Sequence, residues 1–345
     1  MKNTYLEKKN LIMAALLCLT LISSFTAISP LRAADQVRYD DSDGSYTYKI
    51  VDDITLTDET RNRQIPLRIY YPEAPGLVCP ILVVSHGLGG SKNTGNWVGQ
   101  FMATHGYISV FMTHYGSDTS LLDLSAGLQE NIKRLQLSLI NPENIINRPL
   151  DVTKVIDALD QIQKNTPALT GRMDLKNIGV TGHSFGAFTT LAVDGAYAEQ
   201  SRKFYGKTFS DPRPRAFLAM SPQSVRPNVD PKPTFAEITR PTMIMTGSED
   251  VDPIMPDRTA ESRMDPYKYM PAGDKYALWI EGAHHFTFGD GRAFQMIDPF
   301  MRKMTKIATL AFFDAYLKND QAAKELLKSD QIEKMGEGKI KLYKK

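Results

Sequence analysis

The stretch Ile178-Gly179-Val180-Thr181-Gly182-His183-Ser184-Phe185-Gly186-Ala187-Phe188-Thr189-Thr190-Leu191-Ala192-Val193 decides the fold. Its opening residues, Ile178 to Thr181, form a short apolar run of the kind buried on both faces of a sheet. Its closing residues, from Ala187, are small and apolar and continue as a helix. Between them lies the pattern Gly-x-Ser-x-Gly, which sets a serine on a sharp strand-to-helix turn at the top of a sheet. The two glycines let the backbone pass where a Cβ would clash. Alone the pattern is weak; the strand before it and the helix after it make it specific. Ser184 is therefore the candidate nucleophile.

Working outward, apolar runs of the same character recur at Ile65–Tyr71, Pro80–Ser85, Tyr107–Met112, Asn177–Thr181, Arg215–Met220, Thr242–Thr246 and Tyr276–Ile280. Stretches with helical spacing separate them. Asn96–His105 is one, the stripe Leu150, Val152, Val155, Ile156, Leu159 another, and Phe185–Ala198 and Met304–Leu317 complete the series. Strand–helix alternation predicts an α/β protein with a mostly parallel sheet and helices on both faces. No helix separates Tyr46–Leu56 from Ile65–Tyr71, so these predict an antiparallel N-terminal edge. One domain is expected over residues 35–320, followed by a polar C-terminal tail over 321–345 carrying Lys339, Lys341, Lys344 and Lys345. Two connections are long. Thr113–Arg148, with an expected helix over Leu121–Ile140, and Pro253–Lys275 both leave the strand ends where α/β sheets bind ligands. They are expected to wall or partly cover a pocket.

The chain has 345 residues, 42% of them hydrophobic, and a formal net charge of +2. That near-neutral balance gives no reason to expect a nucleic-acid partner. The N-terminus is an expected secretory signal peptide over residues 1–34. Lys2, Lys8 and Lys9 precede the apolar run Leu11–Ile22, and Ala33 and Ala34 supply a small-residue cleavage site. An uncleaved anchor over Leu11–Ile28 is the alternative. The expected location is outside the cytoplasm, periplasmic or secreted, with no stable membrane insertion after cleavage. Of the two cysteines, Cys18 lies in this segment, which leaves Cys79 as a small packed residue rather than a nucleophile.

A nucleophilic serine needs a base, an acid to orient the base, and donors for the oxyanion. In this fold the order is Ser…Asp…His, so the base must follow the last core strand. That leaves His284 and His285, in Glu281-Gly282-Ala283-His284-His285-Phe286. The acid should follow Thr242–Thr246, where Gly247-Ser248-Glu249-Asp250-Val251-Asp252-Pro253 offers three carboxylates. An acid three residues after the strand-ending glycine selects Asp250. Asp252, which opens an Asp-Pro-x-x-Pro stretch, is the alternative. The oxyanion donors are expected to be the backbone N–H of Phe185 and, from His86-Gly87-Leu88-Gly89-Gly90, that of Leu88. His86 is expected to fix the turn. No motif suggests a metal or a phosphate-binding loop, so no cofactor and no metal are expected.

These residues together resemble a family. Ser85-His86-Gly87-Leu88-Gly89-Gly90-Ser91, His105-Gly106-Tyr107, His114-Tyr115-Gly116-Ser117-Asp118 and Asn147-Arg148-Pro149-Leu150-Asp151-Val152 are its markers, in order. Gly182–Gly186, Ser221-Pro222-Gln223, Ala272-Gly273-Asp274-Lys275-Tyr276 and Gly282-Ala283-His284-His285-Phe286 continue them. The chain is similar to bacterial α/β-hydrolases known as predicted dienelactone hydrolases, related to platelet-activating-factor acetylhydrolases and cutinase-like polyester hydrolases. The resemblance implies an α/β-hydrolase fold and a Ser-Asp-His triad. Its Gly-Ala-x-His pattern selects His285. Two departures stand out: dienelactone hydrolases proper use a cysteine nucleophile, and the acetylhydrolases carry their acid after the preceding strand, where Ser221 stands here. The expected function is cofactor-free hydrolysis of a small-molecule carboxylic ester through an acyl-enzyme. A lipase or polyester hydrolase, a thioesterase and an amidase are alternatives within the same chemistry. A non-catalytic binding member of the fold is the alternative of another class, and it usually lacks the nucleophile or the base.

Overall fold

A computed structural model describes residues 39–196, 208–225, 229–255, 258–290 and 297–345. The expected signal segment, residues 1–34, lies outside the described residues. The strands are β1 (Tyr48–Asp58), β2 (Arg63–Pro72), β3 (Cys79–Ser85), β4 (Ile108–Met112), β5 (Met173–His183), β6 (Ala216–Met220), β7 (Thr242–Glu249), β8 (Lys275–His284) and β9 (Ile340–Lys344). Among the described residues they form one sheet in the order β1-β2-β4-β3-β5-β6-β7-β8-β9. The centre, from β4 to β8, is parallel. β1 and β2 pair antiparallel at one edge and β9 pairs antiparallel with β8 at the other.

Alternation along each central strand feeds two cores. Leu82 and Val84 of β3 face one side, with Phe101 and Met102 of helix α1 (Asn96–Thr104) and Ile307, Leu310 and Phe313 of the long helix Pro299–Leu317. Ile81 and Val83 face the other, with Val152, Val155 and Leu159 of helix Pro142–Asn165. Burial on both faces is why these strands are continuously apolar. This is the α/β-hydrolase fold. In chain order after α1, the helices around the site and at the C-terminal edge are α2 (Leu128–Ile140), α3 (Pro142–Asn165), α4 (Phe185–Asp194), α5 (Pro299–Leu317), α6 (Gln321–Lys328) and α7 (Gln331–Met335).

Two expectations are corrected. Residues 321–345 are not a polar tail: they fold as α6, α7 and β9, with Ile340 and Leu342 buried. The lysines alternate with these apolar residues because β9 is an edge strand with one face on the core. The helix expected over Leu121–Ile140 is shorter, starting at Leu128 after a separate turn at Thr119–Leu121. Asp123 stops it from starting earlier, because its carboxylate accepts the Ser125 N–H and hydroxyl in a local turn.

The segment after β4 is tied down. Gly89 N–H donates to Ser117 O (2.9 Å), and Gly90 bridges to Asp118. Ser138 Oγ and Asn144 Nδ2 both donate to Gly116 O (2.7 and 2.8 Å). Gln136 Nε2 donates to Ile254 O (3.1 Å), joining α2 to the turn after β7.

Candidate active site

Ser184 sits where β5 ends and α4 begins, with φ of 58° and ψ of −118°. A positive φ is costly for a residue with a Cβ, and such strain persists only where the surroundings impose it. Here they do. A Cβ on Gly186 would lie 2.0 Å from Ser85 O, so helix α4 is pressed against the end of β3 and only glycine fits. The tight turn leaves Ser184 half-buried, with its hydroxyl at the carboxyl edge of the sheet.

Ser184 Oγ lies 2.9 Å from His285 Nε2, and His285 Nδ1 lies 3.0 Å from Asp250 Oδ1. Three side chains from the ends of β5, β7 and β8 thus converge in a single chain of hydrogen bonds. His285 is buried and Asp250 fully so. In the tautomer that serves Ser184, Nδ1–H donates to the carboxylate and Nε2 accepts from the hydroxyl.

The neighbouring candidates have other partners. His284 Nδ1 accepts from Phe286 N–H (3.2 Å) and caps the turn His285–Thr287. Asp252 Oδ1 accepts the N–H groups of Ile254 and Met255, both at 3.0 Å, and orders its own turn. Glu249 is exposed. Phe286 packs edge-on against His285, with centroids 5.5 Å apart, while Phe288 is buried beside Trp97 in the wall of a small cavity next to the elbow.

One expected oxyanion donor, Phe185, follows the serine in the chain, and the other, Leu88, lies on the loop that approaches it. Phe185 N–H belongs to the first turn of α4, whose amides have no partner within the helix. Gly87 approaches so closely that a Cβ there would be 3.5 Å from Ser184 Cβ. Leu88 follows it, and among the described residues no backbone carbonyl accepts the Leu88 N–H. His86 does fix this turn: its Nδ1–H donates to Gly87 O (2.6 Å) and its Nε2 accepts from His114 N–H (3.0 Å). Burial pushes the His86 imidazole well below its usual pKa, consistent with the neutral ring these bonds require.

The sequence did not reveal the acid's surroundings. Asp250 Oδ2 accepts from Ser221 Oγ and from Thr246 Oγ1 (2.9 Å). Ser221 Oγ also lies 3.1 Å from His285 Nδ1. The buried Arg263 places Nε 2.9 Å from Asp250 Oδ1 and Nη2 3.2 Å from His285 Nδ1. Its Nη1 donates to the carbonyls of Ser221 and Pro222 (3.0 and 3.1 Å). Arg263 lies in a long connection without a motif, so no local signal pointed to it. His183, the residue before the serine, donates Nε2–H to His285 O (2.8 Å) and so ties the elbow to the histidine loop. Burial next to His285 pushes its pKa well down, leaving it neutral.

Among the described residues no group of three His, Cys, Asp or Glu side chains could hold a metal ion. The arrangement can move a proton from a hydroxyl to an imidazole, which is the first requirement of acyl transfer by a serine.

A family model described as "Platelet-activating factor acetylhydrolase, isoform II" matches residues 73–206. That span holds the His86–Gly90 loop and Ser184, and ends before Asp250 and His285. Over it the chain is similar to an ester-hydrolysing family of this fold, which supports ester hydrolysis as the general activity. No curated protein matches the chain.

Proposed function

We propose that the protein is a serine carboxylic ester hydrolase that works through Ser184, His285 and Asp250. The observation that carries this reading is the bonded line from Ser184 Oγ through His285 to Asp250, at 2.9 and 3.0 Å, starting at a strained elbow. Ser184 Oγ attacks the ester carbonyl while His285 Nε2 takes its proton. The oxyanion is held by the N–H groups of Phe185 and Leu88. Collapse of the tetrahedral species expels the alcohol, which takes the proton from His285 Nε2 and leaves an acyl-serine. Water then repeats the sequence and releases the acid. Asp250 holds the imidazole in the working tautomer and stabilises the imidazolium. No cofactor takes part.

The substrate in this reading is a small, short- to medium-chain ester. The segment over the sheet edge is anchored by Gly89, Ser138, Asn144 and Gln136 rather than hinged, which suits a fixed pocket wall better than a lid that opens on a lipid surface. Residues 1–34 are proposed to direct export.

Labelling by a fluorophosphonate tests the nucleophile. The mature protein should label and the Ser184→Ala variant should not, while retaining its melting temperature. Turnover of p-nitrophenyl esters should peak at short acyl chains. An unlabelled wild-type protein, or undiminished turnover in Ser184→Ala, would overturn the reading, and strong activation by long-chain triglyceride emulsions would favour a lipase.

A further inference from the structure

A second Ser-His-Asp line lies beneath the first. Ser85 Oγ is 2.9 Å from His114 Nε2, and His114 Nδ1 is 3.0 Å from Asp151 Oδ2. The spacing matches that of Ser184, His285 and Asp250, but all three side chains are buried at 0–1% exposure, so no substrate reaches them. Asp151 is also held by Arg61 Nη1 (2.8 Å) and Arg63 Nη2 (3.0 Å). Burial pushes His114 down to about 4, so it is a neutral relay of polarity rather than a base. It donates through Nδ1 to Asp151 and accepts through Nε2 from Ser85, which turns the lone pairs of Ser85 Oγ toward Arg148.

Arg148, on α3, is 1% exposed and donates from all three guanidinium nitrogens. Nε donates to Thr189 Oγ1 (2.9 Å), Nη1 to Ser117 Oγ (2.8 Å), and Nη2 to Ser85 Oγ (3.1 Å) and to His86 O. Its central carbon lies 4.4 Å from the centroid of the Phe185 ring. Thr189 Oγ1 in turn donates to Phe185 O (2.9 Å). One side chain therefore bonds the loop that leads to Leu88 and packs on the residue that supplies the other oxyanion amide. None of these acceptors is a carboxylate. A cation buried against neutral acceptors is costly, and an apolar side chain could fill the same space, so filling volume does not account for it.

Resting on the triad reading above, we propose that Arg148 is a positioning residue of the oxyanion hole, clamping the Ser85–Leu88 loop and the start of α4 at a fixed separation. Amides aimed at an oxyanion lose most of their effect when displaced by a fraction of an ångström to an ångström, so the clamp acts on the transition state more than on bound substrate.

The test is Arg148→Lys, which keeps a cation but loses the planar fork. Active sites are first counted by end-point fluorophosphonate titration. The kcat per titrated site should fall at least about tenfold with KM changed less than about threefold. The Ki of a trifluoromethyl ketone, whose adduct places an oxyanion in the hole, should weaken by the same factor as kcat/KM. A merely structural role would lower the number of titratable sites and leave kcat per site and Ki alone, and that result overturns the proposal. If Arg148→Lys does not fold, Thr189→Val removes one arm without adding a charge; it should lower kcat per site about threefold or more, and an unchanged value overturns the proposal. Failure of the wild-type protein to titrate would fault the triad reading instead.

Discussion

Replacing Asp250 by Asn removes one charge with almost no change in shape. Arg263 Nε, 2.9 Å from Oδ1, keeps an acceptor oxygen at that position, so the amide carbonyl of the new side chain would still face His285 Nδ1. Ser221 and Thr246 hydroxyls can rotate to accept from the new NH2. The tautomer survives, and the loss is electrostatic. At 3.0 Å and an effective dielectric of about 20, a carboxylate and an imidazolium attract by about 5 kcal/mol. The amide dipole recovers part of this, leaving about 3–5 kcal/mol, or about two to four orders of magnitude in rate. The buried Arg263, no longer neutralised, acts in the same direction. Asp252→Asn keeps its Oδ1 bonds to the Ile254 and Met255 amides, and its Oδ2 lies 3.8 Å from Arg263. It should cost at most about tenfold. The assay is steady-state hydrolysis of a p-nitrophenyl ester, normalised to titrated sites. Turnover in Asp250→Asn within tenfold of wild type, or a larger loss in Asp252→Asn, would refute the reasoning.

Three further outcomes follow from the geometry. In an Asp250→Asn background, Ser221→Asp should regain about tenfold or more, because Ser221 Oγ already lies 3.1 Å from His285 Nδ1 and its φ of 55° is one that Asp tolerates; no regain in titrated kcat would show that this position cannot serve the imidazole. Deleting residues 340–345 strips Ile340 and Leu342 from the core and should cost about 3–6 kcal/mol in urea unfolding, whereas an unchanged midpoint would mean that β9 contributes nothing. Burial holds His114 at about 4 against an ordinary 6.5, so the unfolded chain binds a proton that the native chain refuses between those values. The stability this group contributes is present above about pH 6.5 and falls by about 3 kcal/mol as pH drops through 4; urea midpoints measured at about pH 7.5 and about pH 4.5 should differ in that direction, and His114→Gln should narrow the difference without abolishing it, since the buried His86 and His183 also refuse protons that the unfolded chain binds.

Local rules were enough to read the elbow. Strand, glycine, serine, glycine and helix lie within one short stretch, and the close approach of Gly186 to Ser85 O is the reason that the pattern exists. The central strands were equally legible, because burial on both faces makes a continuous apolar run. The antiparallel edge followed from two strands with no helix between them. At the other edge the same reading failed: in Ile340-Lys341-Leu342-Tyr343-Lys344 only two buried residues alternate with lysines, too few to separate an edge strand from a tail. Which of two adjacent histidines faces Ser184 is set by a cap, His284 Nδ1 on Phe286 N–H, and the resemblance rather than the spacing pointed to His285. The roles of Ser221, Arg263 and Arg148 depended on tertiary structure alone. Ser221 and Asp250 are 29 residues apart, and Arg148 and Ser85 are 63 apart. Such contacts leave no periodicity, since each side chain answers to strands that the sheet brings together and not to its neighbours in the chain.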